Sequence, residues 1–190
     1  MNTRKKLTNM VLLALFAGLI FLMGQTPLGL IPLGFCNVTL LVIPVAVGTI
    51  YMGWKNGLIL GATFAATSLL SALTRPSALV ATLMGASPLL AILMTVLPRL
   101  CIPLVIHGVF SLLGKLKKPV AAAAAAACGS LTNTILYLGL MLGFYTLCGI
   151  DNVTVLTTIG VVAGGAGPLE ALAAAVIVPP VLAALWRIRK

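Results

Sequence analysis

The chain has 190 residues, of which 61% are hydrophobic and only 7% are charged. Soluble domains carry about 25% charged residues, so the composition excludes a soluble globular protein and predicts an all-α integral membrane protein. The net charge of +10 does not indicate nucleic-acid binding, because no stretch interleaves aromatic and basic residues as base stacking requires.

The apolar segments predict a bundle of six transmembrane helices, in one transmembrane domain that covers residues 1–190. A helix needs roughly 20 residues to cross the hydrocarbon core, and the second segment is shorter than the others. Residues 74–87 are predicted as an outer loop with room for a short interfacial helix, and 148–167 as a second outer loop. The predicted spans are 7–25, 38–52, 58–73, 88–113, 120–147 and 168–186.

The basic residues predict the orientation of these spans. The N-terminal apolar run is longer than a usual signal-peptide core, so it is interpreted as a retained first helix. With both termini in the cytoplasm, ten of the twelve Lys and Arg residues fall in cytoplasmic segments, as the positive-inside bias requires. Of the other two, Arg75 falls in an outer loop and Arg99 within the membrane.

Arg99 is the most informative residue, because it lies near the middle of the fourth predicted span. A cation at bilayer depth is costly and is a functional-site hypothesis by default. It lies about 17 Å from the start of its helix at 1.5 Å per residue, too deep for easy snorkelling. We interpret it as the partner of an anionic ligand, with a purely structural pair as the alternative. Pro98 beside it cannot donate a backbone hydrogen bond and so frees a carbonyl.

Further polar residues accompany Arg99. Thr95 is one turn away on the same helix face, and Tyr137 follows Asn133 by one turn in the fifth span. These residues predict ligand contacts, with helix–helix hydrogen bonds as the alternative of equal weight. For Thr67, Ser68 and Ser71 in the third span, packing is the preferred interpretation, and Ser71 is also included as a candidate contact. The predicted substrate contacts are Arg99, Asn133, Thr132, Tyr137, Glu170, Thr95, Asn37 and Ser71.

The chain has only two acidic residues. Asp151 falls in an outer loop and is interpreted as solvated. Glu170 lies near the outer start of the sixth span, where an acid suits the helix dipole. Two other roles stay open for Glu170, namely pairing with Arg99 and accepting hydrogen bonds from ligand hydroxyls. His107 is interpreted as structural.

No catalytic or metal motif is present in the sequence. It contains no phosphate-binding loop, no Ser-His-Asp set and no Cys-x-x-Cys pair, so we predict neither an enzyme nor a bound cofactor or metal. Whether Cys36 and Cys148 form a disulfide stays open. Ala14 and Gly18 form a small-x-x-x-small pair on the first helix, which lets another helix approach closely.

Several motifs occur together and in order along the whole chain. They are Thr26-Pro-Leu-Gly-Leu-Ile-Pro-Leu-Gly34, the segment from Pro44 to Ala72 with its turn Gly53-Trp-Lys-Asn-Gly57, Leu97-Pro-Arg-Leu100, Gly129-Ser-Leu-Thr-Asn-Thr134 and Gly167-Pro-Leu-Glu-Ala171. This set resembles the substrate-binding S-components of energy-coupling factor (ECF) vitamin transporters. It looks most similar to the pantothenate-type S-components.

The resemblance implies a prokaryotic cell-membrane protein that captures a vitamin from outside with high affinity. The loop after the first helix would act as a lid. The protein would then topple onto a transmembrane coupling subunit that is served by two ATPase subunits. In the family an Ala-x-x-x-Ala motif forms the docking face, and here it reads Ala14-x-x-x-Gly18. Arg99 would neutralise the carboxylate of pantothenate, while Asn133, Thr132 and Tyr137 would contact its amide or hydroxyls.

Three alternatives accompany this interpretation. The first is an S-component for another vitamin or precursor, although a planar ligand calls for more aromatic residues than this chain has. The second is a ligand-free membrane scaffold or assembly protein, in which Arg99 pairs internally. The third is a stand-alone facilitator that works without any ATPase partner.

Overall fold

The computed structural model describes residues 3–26, 29–32 and 37–188, and the side chains of 7–26, 29 and 39–187. This part of the chain is almost entirely helical. Its elements, in order, are α1 (Thr3–Gln25), β1 (Leu30–Pro32), β2 (Asn37–Thr39), α2 (Val42–Met52), α3 (Trp54–Thr74), α4 (Ala78–Ala86), α5 (Pro88–Leu112), α6 (Lys118–Leu147), α7 (Val153–Val161), a π-helical segment (Val162–Ala166) and α8 (Gly167–Ile188).

Five helical stretches of the described chain are long and apolar enough to cross a membrane, which supports a multi-pass membrane protein. The helix α2 is apolar but has only 11 residues. It is about 16 Å long at 1.5 Å per residue, short of a roughly 30 Å hydrocarbon core. The candidate spans are Leu7–Gln25, Trp54–Thr74, Pro88–Leu112, Lys118–Leu147 and Val153–Arg187.

Several predicted boundaries differ from the structure. The third span was predicted to begin at residue 58, but α3 begins at Trp54. The second predicted span was to begin at residue 38, but residues Asn37–Thr39 form a strand and the helix begins at Val42. Residues 148–167 were predicted as a loop, yet most of them form α7 and the π-helical segment, which continue directly into α8. A helix predicted from hydropathy ends at the glycines of this region. In lipid, however, a helix satisfies the backbone polar groups, and that requirement favours helix here.

The bundle is arranged around α5 and α6, which pack against each other. The helix α3 packs on α5, α8 packs on α6, and α1 lies on the outside against α3. The short helix α2 is central and contacts α3, α5 and α8. A glycine permits a close approach of α5 and α6, because a Cβ at Gly129 would overlap the side chain of Ile106.

Two apolar clusters lie at opposite ends of these helices. The α2-side cluster includes Ile102 and Ile106 of α5, Ala122 and Ala126 of α6, and Val178 of α8. The α4-side cluster joins α4, α5, α6 and α7 through fully or nearly fully buried side chains. Its buried members are Leu79, Val80, Leu83, Ala91, Met94, Met141, Tyr145 and Val155. Between the two clusters, α5 and α6 bury polar side chains instead.

A small antiparallel hairpin connects α1 to α2. Its two three-residue strands pair Leu30 with Thr39, Ile31 with Val38 and Pro32 with Asn37. The Leu40 amide donates to the Gly29 carbonyl at 3.1 Å and closes the open end of the hairpin. The hairpin contacts α1 through β1 and α8 through β2, so it bridges two helices at the polar level of the bundle.

Candidate functional site

A cavity of about 70 Å³ lies at the polar level between the two apolar clusters. This volume accommodates roughly five water molecules. Side chains from β2, α3, α5, α6, the π-helical segment and α8 converge on it, together with residues on both sides of the α3–α4 connection. The lining residues are Thr39, Ser68, Ser71, Ala72, Arg75, Ser77, Val80, Thr95, Arg99, Asn133, Thr134, Tyr137, Leu138, Val162 and Glu170.

Arg99 of α5 is the buried cation of this cavity, with 7% of its surface exposed. Its guanidinium carbon lies 5.5 Å from the ring centre of Phe64 on α3 and 4.8 Å from that of Tyr137 on α6. Both distances are within the range of a cation–π interaction, which is stronger away from water. Its Nε has no hydrogen-bond partner among the described residues. The two rings therefore hold the guanidinium in place and leave a charged donor for a ligand.

Pro98 leaves free the Met94 carbonyl, which is the one backbone acceptor that the structure records for this guanidinium. In an α-helix the N–H of residue 98 would donate to the carbonyl of Met94, and proline has no N–H. Arg99 Nη1 donates to that Met94 carbonyl instead, at 3.4 Å. The carbonyl that the sequence predicted to be freed beside Arg99 thus accepts from Arg99 itself.

Pro103 has a matching effect on the other side of Arg99. It leaves the carbonyl of Arg99 without its helical donor. The helix α3 approaches at this point, and a Cβ at Gly61 would lie 2.8 Å from that carbonyl oxygen and 3.1 Å from Pro103 Cγ. The close approach of Gly61 fixes the position of the Arg99 backbone relative to Phe64, one turn further along α3.

Three neutral side chains add hydrogen-bonding groups beside Arg99. Asn133 Oδ1 and Ser68 Oγ are buried and have no hydrogen-bond partner in the part of the chain that the structure describes, whereas the Thr95 hydroxyl donates to Ala91 O at 2.9 Å. A buried polar atom without a partner costs about 1–3 kcal/mol. Two such atoms beside a buried cation are therefore expected where a ligand supplies the missing partners.

Glu170 of α8 is the acidic group of the cavity and is 8% exposed. Its Oε1 accepts from the backbone N–H of Thr39 at 2.6 Å. Thr134 lies beside the carboxylate, and Arg99 is near enough for the two opposite charges to attract. The carboxylate is thus directed toward the hairpin. The structure also corrects the expectation of a free helix start, because the π-helical segment precedes α8 without a break.

The structure brings together six of the eight predicted substrate contacts. Arg99, Asn133, Tyr137, Glu170, Thr95 and Ser71 all line the cavity. Thr132 does not line it, and its hydroxyl donates to Cys128 O within α6 at 2.7 Å. The side chain of Asn37 lies outside the described residues, as does Cys36. The predicted docking residues Ala14 and Gly18 lie on an exposed face of α1, where a Cβ at Gly18 would meet no described atom within 4 Å.

Several lining residues were not predicted from the sequence. Ser68 and Arg75 are three residues before and four residues after the predicted Ser71, so one helix face connects all three. Thr134 likewise lies three residues before the predicted Tyr137 in α6. Helical spacing from the predicted contacts could have found these residues. Thr39 could not be found in this way, because the contact depends on how the hairpin folds back.

The arrangement can be compared with known proteins. A family model described as "ECF transporter, substrate-specific component" matches residues 8–183. No curated protein matches the chain. Among the described residues no group of three or more His, Cys, Asp or Glu is placed to hold a metal ion. The match covers all the elements that line the cavity.

Proposed function

We propose a function that proceeds from one finding: the chain belongs to the family of ECF transporter substrate-specific components. Members of this family are non-catalytic, substrate-binding subunits, and the ATPase activity lies in their partner subunits. We infer that this chain captures a small anionic vitamin, with pantothenate favoured, from the outer side of a prokaryotic cell membrane.

The observation that carries the proposal is the guanidinium of Arg99 in the cavity. It is buried, stacked against Phe64 and Tyr137, and its Nε has no partner among the described residues. A buried charge is costly unless it is paired, and a carboxylate is the natural pair for a guanidinium. Glu170 is near enough to attract this charge, but its Oε1 accepts from the Thr39 backbone and directs the carboxylate toward the hairpin. An incoming carboxylate completes the site.

The neutral groups fit the rest of a pantothenate molecule, which has an amide and two hydroxyls besides its carboxylate. Within the described chain Asn133 Oδ1 is an acceptor without a donor, and Ser68 Oγ can donate or accept. An amide N–H or a ligand hydroxyl would satisfy them. The cavity of about 70 Å³ is small for such a molecule, so binding moves the lining outward.

The family implies a coupling subunit and ATPase subunits as partners, and we propose that α1 carries the docking face. It is the least buried of the candidate spans, with 11% of its apolar window buried. Ala14 and Gly18 are exposed on it, and small residues permit close helix approach. Cross-linking from position 14 in the assembled transporter tests this, and labelling of a subunit other than the coupling subunit would contradict it.

We also propose that the bundle has six spans and that both termini are cytoplasmic. The distribution of basic residues supports this orientation. The helix α2 would count as the sixth span if the hairpin before it completes the crossing. Reporter fusions to both termini test the orientation, and an extracellular signal from either terminus would overturn it.

The test of the function compares pantothenate with panthenol, in which an alcohol replaces the carboxylate. Calorimetry on the purified protein should give tight binding of pantothenate and much weaker binding of panthenol. Arg99→Ala should weaken pantothenate binding about 100-fold, since a buried charge-assisted contact is worth up to about 3 kcal/mol. The same substitution should leave the already weak binding of panthenol nearly unchanged.

The matched control is Arg187→Ala, which removes a guanidinium from the exposed end of α8, away from the cavity. It should bind pantothenate as the wild type does. Unchanged affinity in Arg99→Ala would remove Arg99 from the site. A thermal-shift screen against a vitamin panel identifies the ligand if it is another vitamin. Stabilisation by none of the panel would favour the scaffold alternative.

A further inference from the structure

We propose that Glu170 is a positioning residue: its carboxylate holds the Thr39 end of the hairpin against α8 and so forms one wall of the cavity. This assigns Glu170 to the protein's own backbone and not to the substrate. The effect on substrate release rests on the proposed function, whereas the contact itself does not.

The geometry of the contact indicates a strong hydrogen bond between Glu170 and the backbone of Thr39. The Thr39 N–H donates to Glu170 Oε1 at 2.6 Å, across 131 residues of sequence. Thr39 is 5% exposed and Glu170 is 8% exposed, so little water competes for either group. Hydrogen bonds to an ionised acceptor are shorter and about twice as strong as neutral ones. Both residues line the cavity, so the contact is part of its wall.

The hairpin needs such a partner. Its strands have three residues each, and an isolated two-stranded hairpin is at best marginally stable in water. The Leu40 amide already donates to Gly29 O, and the Leu41 amide lies 3.3 Å from the Thr39 hydroxyl. Without Glu170, the buried Thr39 N–H would lose its partner and incur the cost of an unsatisfied backbone group.

The local structure of α8 explains how Glu170 reaches the hairpin. A π-helical turn contains an extra residue, so the segment Val162–Ala166 rotates the side chains that follow it relative to those of α7. Gly167 then allows α8 to approach α6, since a Cβ there would lie 3.3 Å from Thr134 Cγ2. Glu170 follows one turn later, beside Thr134 and facing the hairpin.

Arg99 makes this arrangement compatible with an anionic substrate. Its charge attracts the Glu170 carboxylate without taking over the contact with Thr39. Arg99 would therefore stabilise two carboxylates at once, namely that of a bound substrate and that of Glu170. Loss of the Glu170 contact is expected to loosen the wall and speed the escape of the substrate, with little change in how fast it arrives.

The first experiment measures hydrogen exchange at the Thr39 amide without any ligand. Protein labelled with ¹⁵N-threonine resolves this amide, and the Thr95 amide within α5 is the internal control. The variants are Glu170→Gln, which keeps an acceptor oxygen, and Glu170→Met, which has similar length and no acceptor oxygen. We expect exchange at Thr39 about tenfold faster in Glu170→Met, intermediate in Glu170→Gln because its neutral acceptor forms a weaker bond, and unchanged at Thr95 in both.

The second experiment measures the dissociation rate of pantothenate by stopped flow. Glu170→Met should release it several-fold faster, Glu170→Gln should fall between Glu170→Met and wild type, and the association rates should match. An unprotected Thr39 amide in the wild type would overturn the proposal, and this measurement needs no variant to fold. Wild-type exchange in Glu170→Met would also overturn it. If pantothenate does not bind but Thr39 follows the expected pattern, the ligand assignment fails and the positioning role stands.

Discussion

The α2-side cluster and the cavity share the helices α3, α5, α6 and α8 and use them in opposite ways. Toward α2, α5 presents Ile102 and Ile106, and α6 presents a run of buried alanines. At the cavity the same helices present Arg99 and Asn133. One region fills its space with apolar side chains, and the other leaves a cavity lined by polar atoms that lack partners within the described chain.

The glycines of the bundle differ in how closely their neighbours approach. In the α2-side cluster an added Cβ would overlap a neighbouring side chain, as Gly48 would with Leu60 and Gly129 with Ile106. In the other half of α6, a Cβ added at Gly139 or Gly143 would meet no described atom within 4 Å. Gly139 is exposed, so glycine permits close helix approach only on the inward-facing positions, at the α2-side cluster and, through Gly61, beside Arg99.

The largest expected effect is on stability and comes from Gly61→Ala. The new methyl group would meet the Arg99 carbonyl oxygen at 2.8 Å, so α3 or α5 must move. Overpacking of this kind costs about 1–3 kcal/mol, and a backbone neighbour places it toward the upper end. Gly139→Ala is the control, since open space surrounds its Cβ. Thermal unfolding in detergent should show a lower midpoint for Gly61→Ala alone, and equal midpoints would refute the close approach.

Asn133→Leu is expected to weaken binding without lowering stability, in contrast to Gly61→Ala. It removes a buried amide oxygen that has no partner among the described residues, so the unfolding midpoint should stay the same or rise, while pantothenate binding weakens about tenfold. Thr132→Val is the control, because the Thr132 hydroxyl donates within α6 and does not line the cavity. It should bind as the wild type does. A lower midpoint for Asn133→Leu would indicate a structural role for the amide.

The helices of both regions could be predicted from hydropathy, and Arg99 and Asn133 from the cost of polar groups in lipid. That Thr132 does not line the cavity could have been predicted from the sequence. In α6 the cavity-facing positions are 133, 134, 137 and 138, a helical spacing that turns residue 132 away. The Thr39 contact was not predictable, because it joins a three-residue strand to a residue 131 positions later. No periodic pattern encodes such a contact.

The smallest expected effect concerns the rim of the cavity. Arg75 is exposed, lines the cavity and donates from Nη2 to Gln25 O at 3.1 Å. Its charge should attract an approaching anion, and such attraction extends about 30 Å at 10 mM salt but only about 3 Å at 1 M. Arg75→Gln should therefore slow pantothenate association about threefold at low salt and leave it unchanged at high salt.

Stopped-flow measurements check this, with Lys115→Gln, a charge change remote from the cavity, as the control. Equal slowing at both salt concentrations would assign the effect to the lost contact with Gln25, because a hydrogen bond within the protein is not screened in this way.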